Sequence, residues 1–243
     1  MGDYFVTTLG QPGAPEANPE AGAAIVRSTA PITLAGGGTV SETALSEALA
    51  LAPRLVAADG GGDSVLELGR MPEAVIGDMD SLSAAAAARL EGRLHRVAEQ
   101  ETTDFDKALR AIDAPLVIAV GMTGGRFDHE LAAMNVLVRR AAHPCLLLGG
   151  EDVTFLAPPR LALPLAAGVR VSLFPMREIT GRSQGLRWPI DGLTLAPDGR
   201  IGTSNEATGP VRLEVAKPGL LVILPRAELA LAVAALLDAA PWR

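Results

Sequence analysis

Two aspartates separated by one residue, Asp78 and Asp80, sit in the run Ile76-Gly77-Asp78-Met79-Asp80-Ser81, directly after a short apolar stretch. Gly77 lets the backbone turn, and the two carboxylates then project near one point. Carboxylates held that close repel each other unless a cation lies between them. Mg²⁺ carrying a nucleotide fits this chemistry, because Mg²⁺ takes one or two carboxylates together with phosphate oxygens and water. The same residues also suit an Asx-turn and helix cap ahead of a helix expected over residues 84–94. Spacing alone leaves both open.

A second cluster is Thr102-Thr103-Asp104-Phe105-Asp106-Lys107. Thr103 and Asp106 have the spacing of a capping box, which predicts a helix start. Free N–H groups and the positive end of the dipole favour anions such as phosphate there. Asp104 and Lys107 are i, i+3 neighbours on one face, a metal ligand beside an ammonium or simply a surface ion pair. The third cluster is Gly121-Met122-Thr123-Gly124-Gly125-Arg126-Phe127-Asp128-His129, after the most apolar run of the chain. Its glycines permit close approach of backbone to a ligand, and Arg126 supplies a rigid fork of donors suited to phosphate. His129 is either a further donor to phosphate or, with Asp128, a helix cap. Asp59-Gly60-Gly61-Gly62 and Gly36-Gly37-Gly38 repeat the pattern after two more apolar runs. Five such loops on one sheet edge describe a polyphosphate crevice better than any one of them does.

Those loops need strands and helices to bring them together. Aliphatic runs at 32–34, 55–58, 74–76, 116–120 and 146–148 alternate with helix-like stretches at 41–51, 84–94, 104–112 and 128–140. Strands without polar alternation, separated by helices, predict a parallel sheet covered on both faces. Ligands of such sheets bind at the carboxyl ends of the strands. Beyond Gly150 the texture changes to short strand-like pieces at 153–156, 169–174, 211–215 and 220–224, followed by an Ala/Leu-rich helix over 226–238. Val211-Arg212-Leu213-Glu214-Val215 alternates apolar and charged residues, as a half-buried antiparallel strand does. The expected fold class is therefore α/β plus all-β. A loose leader (1–24) precedes a doubly wound parallel α/β domain (25–150), and an antiparallel β-sandwich with a C-terminal helix (151–243) follows.

Composition narrows the function classes. A net charge of −7 and an aromatic content of 3% lack the electrostatic and stacking footprint of a nucleic-acid binder. The longest apolar candidate, residues 229–237, is too short to span a bilayer, and Asp3 stands where a signal peptide carries basic residues, so a cytoplasmic location is expected. The single cysteine, Cys145, excludes an internal disulfide and reads as an inert buried thiol. His95 and His143 show no partner pattern. In the β-rich half Trp188 reads first as core, with its ring also able to pack on a heteroaromatic ligand; Ser204 and Asn205 form a turn or a polar clamp.

Taken in order, Asp59-Gly60-Gly61, Gly77-Asp78-Met79-Asp80-Ser81, Thr103-Asp104-Phe105-Asp106-Lys107, Gly124-Gly125-Arg126-Phe127-Asp128-His129 and Ser204-Asn205-Glu206 resemble the motifs of the thiamine pyrophosphokinase family. The resemblance runs from about Ile32 to Leu224 and offers no role for the leader or the Ala-rich tail. It implies a homodimer that moves the diphosphoryl group of ATP to the hydroxyl of thiamine, with Mg²⁺ as cofactor. It implies Asp78, Asp80 and Asp104 as metal ligands, and Lys107, Arg126 and Asp128 as further catalytic residues, Lys107 and Arg126 neutralising phosphate. Asp59, Gly60, Gly61, Thr103, Gly124, Gly125 and His129 would meet ATP, and Trp188, Ser204 and Asn205 would meet thiamine. Two alternatives stand beside this: another Mg²⁺-dependent phospho- or nucleotidyltransferase acting on a small alcohol, and a non-catalytic thiamine or nucleotide sensor.

Overall fold

A computed structural model of the protein describes residues 24–243. The leader expected over 1–24 lies outside the described residues except for its last position. The first half alternates strand and helix: β1 (Val26–Arg27), β2 (Ile32–Ala35), α1 (Glu42–Leu51), β3 (Arg54–Ala58), α2 (Gly61–Glu67), β4 (Ala74–Gly77), α3 (Ala84–Arg89), β5 (Leu94–Arg96), α4 (Asp104–Arg110), β6 (Ile112–Asp113), β7 (Val117–Val120), α5 (Phe127–Arg139) and β8 (Cys145–Leu148). Parallel pairs join β3 to β4, β4 to β5, β2 to β7 and β7 to β8. An isolated bridge between Ile32 and Pro53 sets β2 beside β3. The chain runs outward from β2 through β3 and β4 to β5, then returns to lay β7 on the other side of β2. That reversal opens a crevice at the carboxyl ends.

These strands are apolar throughout because both faces are covered. Ile118 and Val120 enter one core with Leu146 and Leu148, whereas Val117 and Ala119 enter a second with Ile32 and Leu34. Alternate residues point to opposite faces of a strand, so a continuous aliphatic run fills both cores at once. Helix α1 contributes Ala44, Leu45 and Ala48 to the first core; α4 and α5 contribute Phe105, Leu109, Val136 and Leu137 to the second.

Two elements depart from the expected pattern. Gly61 and Gly62 were read as part of a turn, yet they form the first turn of α2. A Cβ on Gly61 would lie 2.2 Å from the Ala35 carbonyl oxygen, so the helix approaches β2 through bare backbone. The helix expected over 84–94 stops at Arg89, because Gly92 adopts a φ of 80° and turns the chain into β5.

The second half contains β9 (Asp152–Leu156), β10 (Arg160–Leu163), β11 (Arg170–Pro175), β12 (Ile179–Leu186), β13 (Thr194–Leu195), β14 (Gly202–Val215) and β15 (Leu220–Pro225), then a short 3-10 turn and α6 (Leu229–Asp238). Residues 149–151 form a tight connection, and β8 pairs antiparallel with β9, so one large, mostly antiparallel sheet runs through both halves. The long strand β14 pairs with β11 near Asn205 and Glu206, then leaves it to pair with β10 and β12 from Val211 to Val215. A strand that changes ladder folds its sheet over itself. Val171 and Leu173 of one ladder accordingly share a core with Leu161, Val211 and Leu213 of the other. No helix among the described residues is long and apolar enough to cross a membrane.

Candidate active site

Parallel pairing places the ends of β2, β3, β4 and β7 along one edge. Ala58 stands opposite Ile76, so the residues that follow, Asp59 and Gly77-Asp78, leave the sheet side by side. Asp59 has a φ of 41° and Met79 a φ of 68°, a region most side chains avoid. Met79 turns the chain so that the Asp80 N–H donates to Asp78 Oδ1 at 3.3 Å. The Asx-turn therefore forms, and the cap of α3 is Ser83.

Asp104 arrives from across the sheet on the first turn of α4, whose N-cap Thr103 accepts the Asp106 N–H at 3.3 Å. Asp59, Asp78 and Asp104 each present a carboxylate oxygen, and these lie within 4.8 Å of one another. Between two of them sits the Lys107 ammonium, 2.8 Å from Asp78 Oδ2 and 3.0 Å from Asp104 Oδ1. Lys107 is 1% exposed, which makes this a buried ion pair and not a surface one. Gln100 Nε2 donates to Asp78 Oδ2 at 3.1 Å. Gly77 is required at this point: a Cβ there would lie 2.8 Å from that of Asp59 and 3.1 Å from Asp104 Oδ1.

Three carboxylates and one ammonium leave the cluster with a surplus of negative charge. Its consequence falls on Asp59, which is buried and whose pKa rises to about 6, chiefly through burial and further through the carboxylates of Asp104, Asp80 and Asp78. Asp78 moves the other way, held below the usual carboxylate range by its hydrogen bond to Lys107. Burial would lower the Lys107 pKa, but its bonds to Asp78 and Asp104 together outweigh this and raise it. Asp59 Oδ2 accepts the Ser81 N–H at 3.1 Å, while its buried Oδ1 has no hydrogen-bond partner. An orphaned carboxylate oxygen among two other carboxylates is a donor set of the hard, anionic kind that Mg²⁺ accepts.

The trio gathered here differs from the one that the resemblance implies. Asp59 joins Asp78 and Asp104, whereas Asp80 is exposed and its carboxylate accepts the Ser81 hydroxyl at 2.9 Å. Both ion pairs of Lys107 are to carboxylates of the cluster, Asp78 and Asp104.

Asp59 and Asp104 of the cluster line a cleft of about 660 Å³, together with Gly36-Gly37-Gly38, Gly60, Thr103 and residues of the segment from Gly121 to Glu130. That volume suits a nucleotide-sized ligand. Gly125, Arg126 and His129 line it, and Arg126 is exposed and paired with Asp128 at 2.6 Å. Gly124 and Gly125 donate their N–H groups to Glu130 Oε1 at 2.9 and 3.2 Å. Behind the site, the buried Asp106 receives Nε and Nη2 of Arg140 and so fastens α4 to the end of α5. Gln100, Glu130 and the Asp106–Arg140 pair were not singled out from the sequence. Glu130 carried a signal, three residues beyond Phe127 at the start of a helix that follows a glycine loop; Gln100 carried none.

In the β-rich half, Trp188 is not core: it is 55% exposed, with the Arg187 guanidinium 5.1 Å from its ring centroid. Asn205 is the clamp, its buried side chain accepting the Trp188 N–H at 3.1 Å and donating to the Trp188 carbonyl at 2.7 Å. Ser204 adopts a φ of 59° and donates its N–H to Ser172 Oγ. None of the three lines the cleft of its own chain. Burial lowers the His143 pKa and pushes that of the Cys145 thiol up, which leaves Cys145 unreactive.

Residues 45–147 match the family model described as thiamin pyrophosphokinase, catalytic domain. Thiamine pyrophosphokinase 1 of Oryza sativa subsp. japonica is 29% identical over 157 residues, 55% of this chain and 58% of that protein. Thiamine pyrophosphokinase 1 of Arabidopsis thaliana is 27% identical over 157 residues, with the same coverage of 55% and 58%. The match thus spans somewhat more than half the length of these relatives. Among solved structures, the thiamin pyrophosphokinase of Candida albicans superimposes with a TM-score of 0.69 at 17% identity, covering 88% of this chain and 97% of that one. The protein from Geobacillus thermodenitrificans gives 0.64 at 22% identity, covering 80% and 96%. At these identities the superpositions speak to the fold.

Proposed function

We propose that this chain, which belongs to the thiamin pyrophosphokinase family, transfers the diphosphoryl group of ATP to the hydroxyl of thiamine, giving thiamine diphosphate and AMP. The observation that carries the reading is the convergence of Asp59, Asp78 and Asp104 from three separate elements, two of them, Asp59 and Asp104, lining one nucleotide-sized cleft. These three would hold Mg²⁺, with Asp80 at the rim; when bound, the ion would neutralise phosphate oxygens and so favour attack at phosphorus. Lys107 holds Asp78 and Asp104 at a fixed separation. Arg126, His129, Thr103 and the N–H groups of the loops at Gly60-Gly61 and Gly124-Gly125 meet the nucleotide, and Asp128 orients Arg126.

The thiamine hydroxyl oxygen bonds to the β-phosphorus as the bond to the α,β-bridging oxygen breaks, and AMP leaves with that oxygen. The hydroxyl proton passes to a carboxylate of the cluster. Little covalent work falls to the protein, whose task is alignment and charge compensation.

Residues 25–150 act in this reading as the ATP-binding domain and 151–243 as the thiamine-binding domain. Trp188, Ser204 and Asn205 do not line their own chain's cleft, and in this reading they serve the cleft of a second copy in a homodimer. An exposed indole is a good seat for the cationic thiazolium of thiamine. An acidic chain also attracts that cation over distance.

Incubation with thiamine, ATP and Mg²⁺, followed by chromatography, tests the reading: AMP and thiamine diphosphate should appear in equal amounts. ADP or free pyrophosphate in place of AMP would favour another phosphotransferase, and binding of both substrates without turnover would favour a sensor.

A further inference from the structure

Three anion-binding groups in the loop after β7 are already answered from within the chain. Two successive N–H groups, those of Gly124 and Gly125, point at a single oxygen of Glu130, 2.9 and 3.2 Å away. The guanidinium of Arg126 is taken by Asp128 at 2.6 and 3.2 Å. Successive backbone N–H groups aimed at one point form a concave nest for anions, and a carboxylate and a phosphate ask the same thing of it. Gly124 has a φ of 84°, and no atom lies within 4 Å of where a Cβ would stand on either glycine. Glu130 is half-buried and lines the same cleft as Asp59, Gly125 and Arg126.

We propose that Glu130 is a built-in competitor for the phosphates of ATP: its carboxylate fills the Gly124–Gly125 nest and must swing out before the nucleotide takes those donors, so this one residue sets the affinity for ATP. The inference rests on ATP being the ligand of the cleft. It makes Glu130 a positioning residue when the cleft is empty and a repelling charge when ATP arrives. Removing the charge favours the nucleotide twice, by freeing two N–H donors and by taking a negative group from beside a polyphosphate.

Titration calorimetry with Mg·ATP tests this on the full chain and on Glu130→Gln and Glu130→Ala. Both variants should bind more tightly, by about fivefold or more, the weight of one modest hydrogen bond exchanged. In steady state the KM for ATP should fall in step while the KM for thiamine stays put, a split that a general change in stability would not produce. Affinity for Mg·ATP that is unchanged or weaker in both variants, in a wild-type chain that makes AMP and thiamine diphosphate, overturns the role of Glu130 and leaves the proposed function standing. Failure of Mg·ATP to bind wild type and variants alike overturns both.

Discussion

The cleft and the Trp188 platform are built on opposite plans. Around the cleft, charged groups satisfy one another within a single chain: Lys107 with Asp78 and Asp104, Arg126 with Asp128, Glu130 with a backbone nest. On the platform a single large ring is exposed, its backbone held by one buried amide and its face met by Arg187. In the proposed reading the first arrangement, with its metal, aligns a polyphosphate, and the second is half of a site that a second copy completes. Substitutions in the cleft should therefore strike turnover and folding, and substitutions on the platform should strike one substrate only.

The largest effect is expected at the carboxylates. Asp104→Asn and Asp78→Asn should lower turnover by at least about a hundredfold, the scale of losing one electrostatic group at a reacting phosphate, with circular dichroism unchanged. Near-normal rates in both would break the metal assignment. Lys107→Met comes next: removing one partner of a buried ion pair costs about 3 kcal/mol or more and leaves two carboxylates facing each other, so the melting temperature and the rate should fall together. Retained stability would show that water reaches the pair.

Asp59 sharpens the contrast through pH. Its folded pKa of about 6 lies above the ordinary 3.8, so its contribution to stability is full below that ordinary value and is lost as pH rises through 6. Melting of the metal-free chain at pH 7 should accordingly be raised in Asp59→Asn by roughly 1–3 kcal/mol, with the gain vanishing near pH 4. The same substitution should depress Mg²⁺-dependent turnover. Loss of stability at pH 7 would mean that the ionised carboxylate is a support and not a strain. The smallest effect belongs to the platform. Trp188→Ala should raise the KM for thiamine about tenfold, within the range of a desolvated cation–π contact, and leave stability and the KM for ATP in place. An equal rise in both constants would erase the distinction between the two regions.

Much of this was legible before any coordinates. Aliphatic runs without alternation announced strands buried on both faces, and the clusters after them announced loops on one edge. Spacing does not carry register, however. Asp78 and Asp80 are close in sequence, yet Asp59 displaces Asp80 from the trio because Ala58 pairs with Ile76 and brings the two loops side by side. Burial was hidden for the same reason: the Asp104–Lys107 spacing reads alike for a solvated pair and a sealed one. Helix α2 was missed because glycines signal turns, whereas Gly61 here lets a helix lie against the backbone of β2. Trp188 was expected inside, since indoles mostly are; what holds it out is Asn205, seventeen residues away.

The account depends on a divalent ion seated among Asp59, Asp78 and Asp104 while it holds the tail of a nucleotide. Crystals grown with ATP and Mn²⁺ in place of Mg²⁺ give the most direct test, through anomalous scattering. The account predicts one strong peak at bonding distance, about 2.1 Å, from oxygens of those three residues and of the phosphates. Ordered ATP in the cleft with no peak at that position, or a peak bound elsewhere, would contradict it.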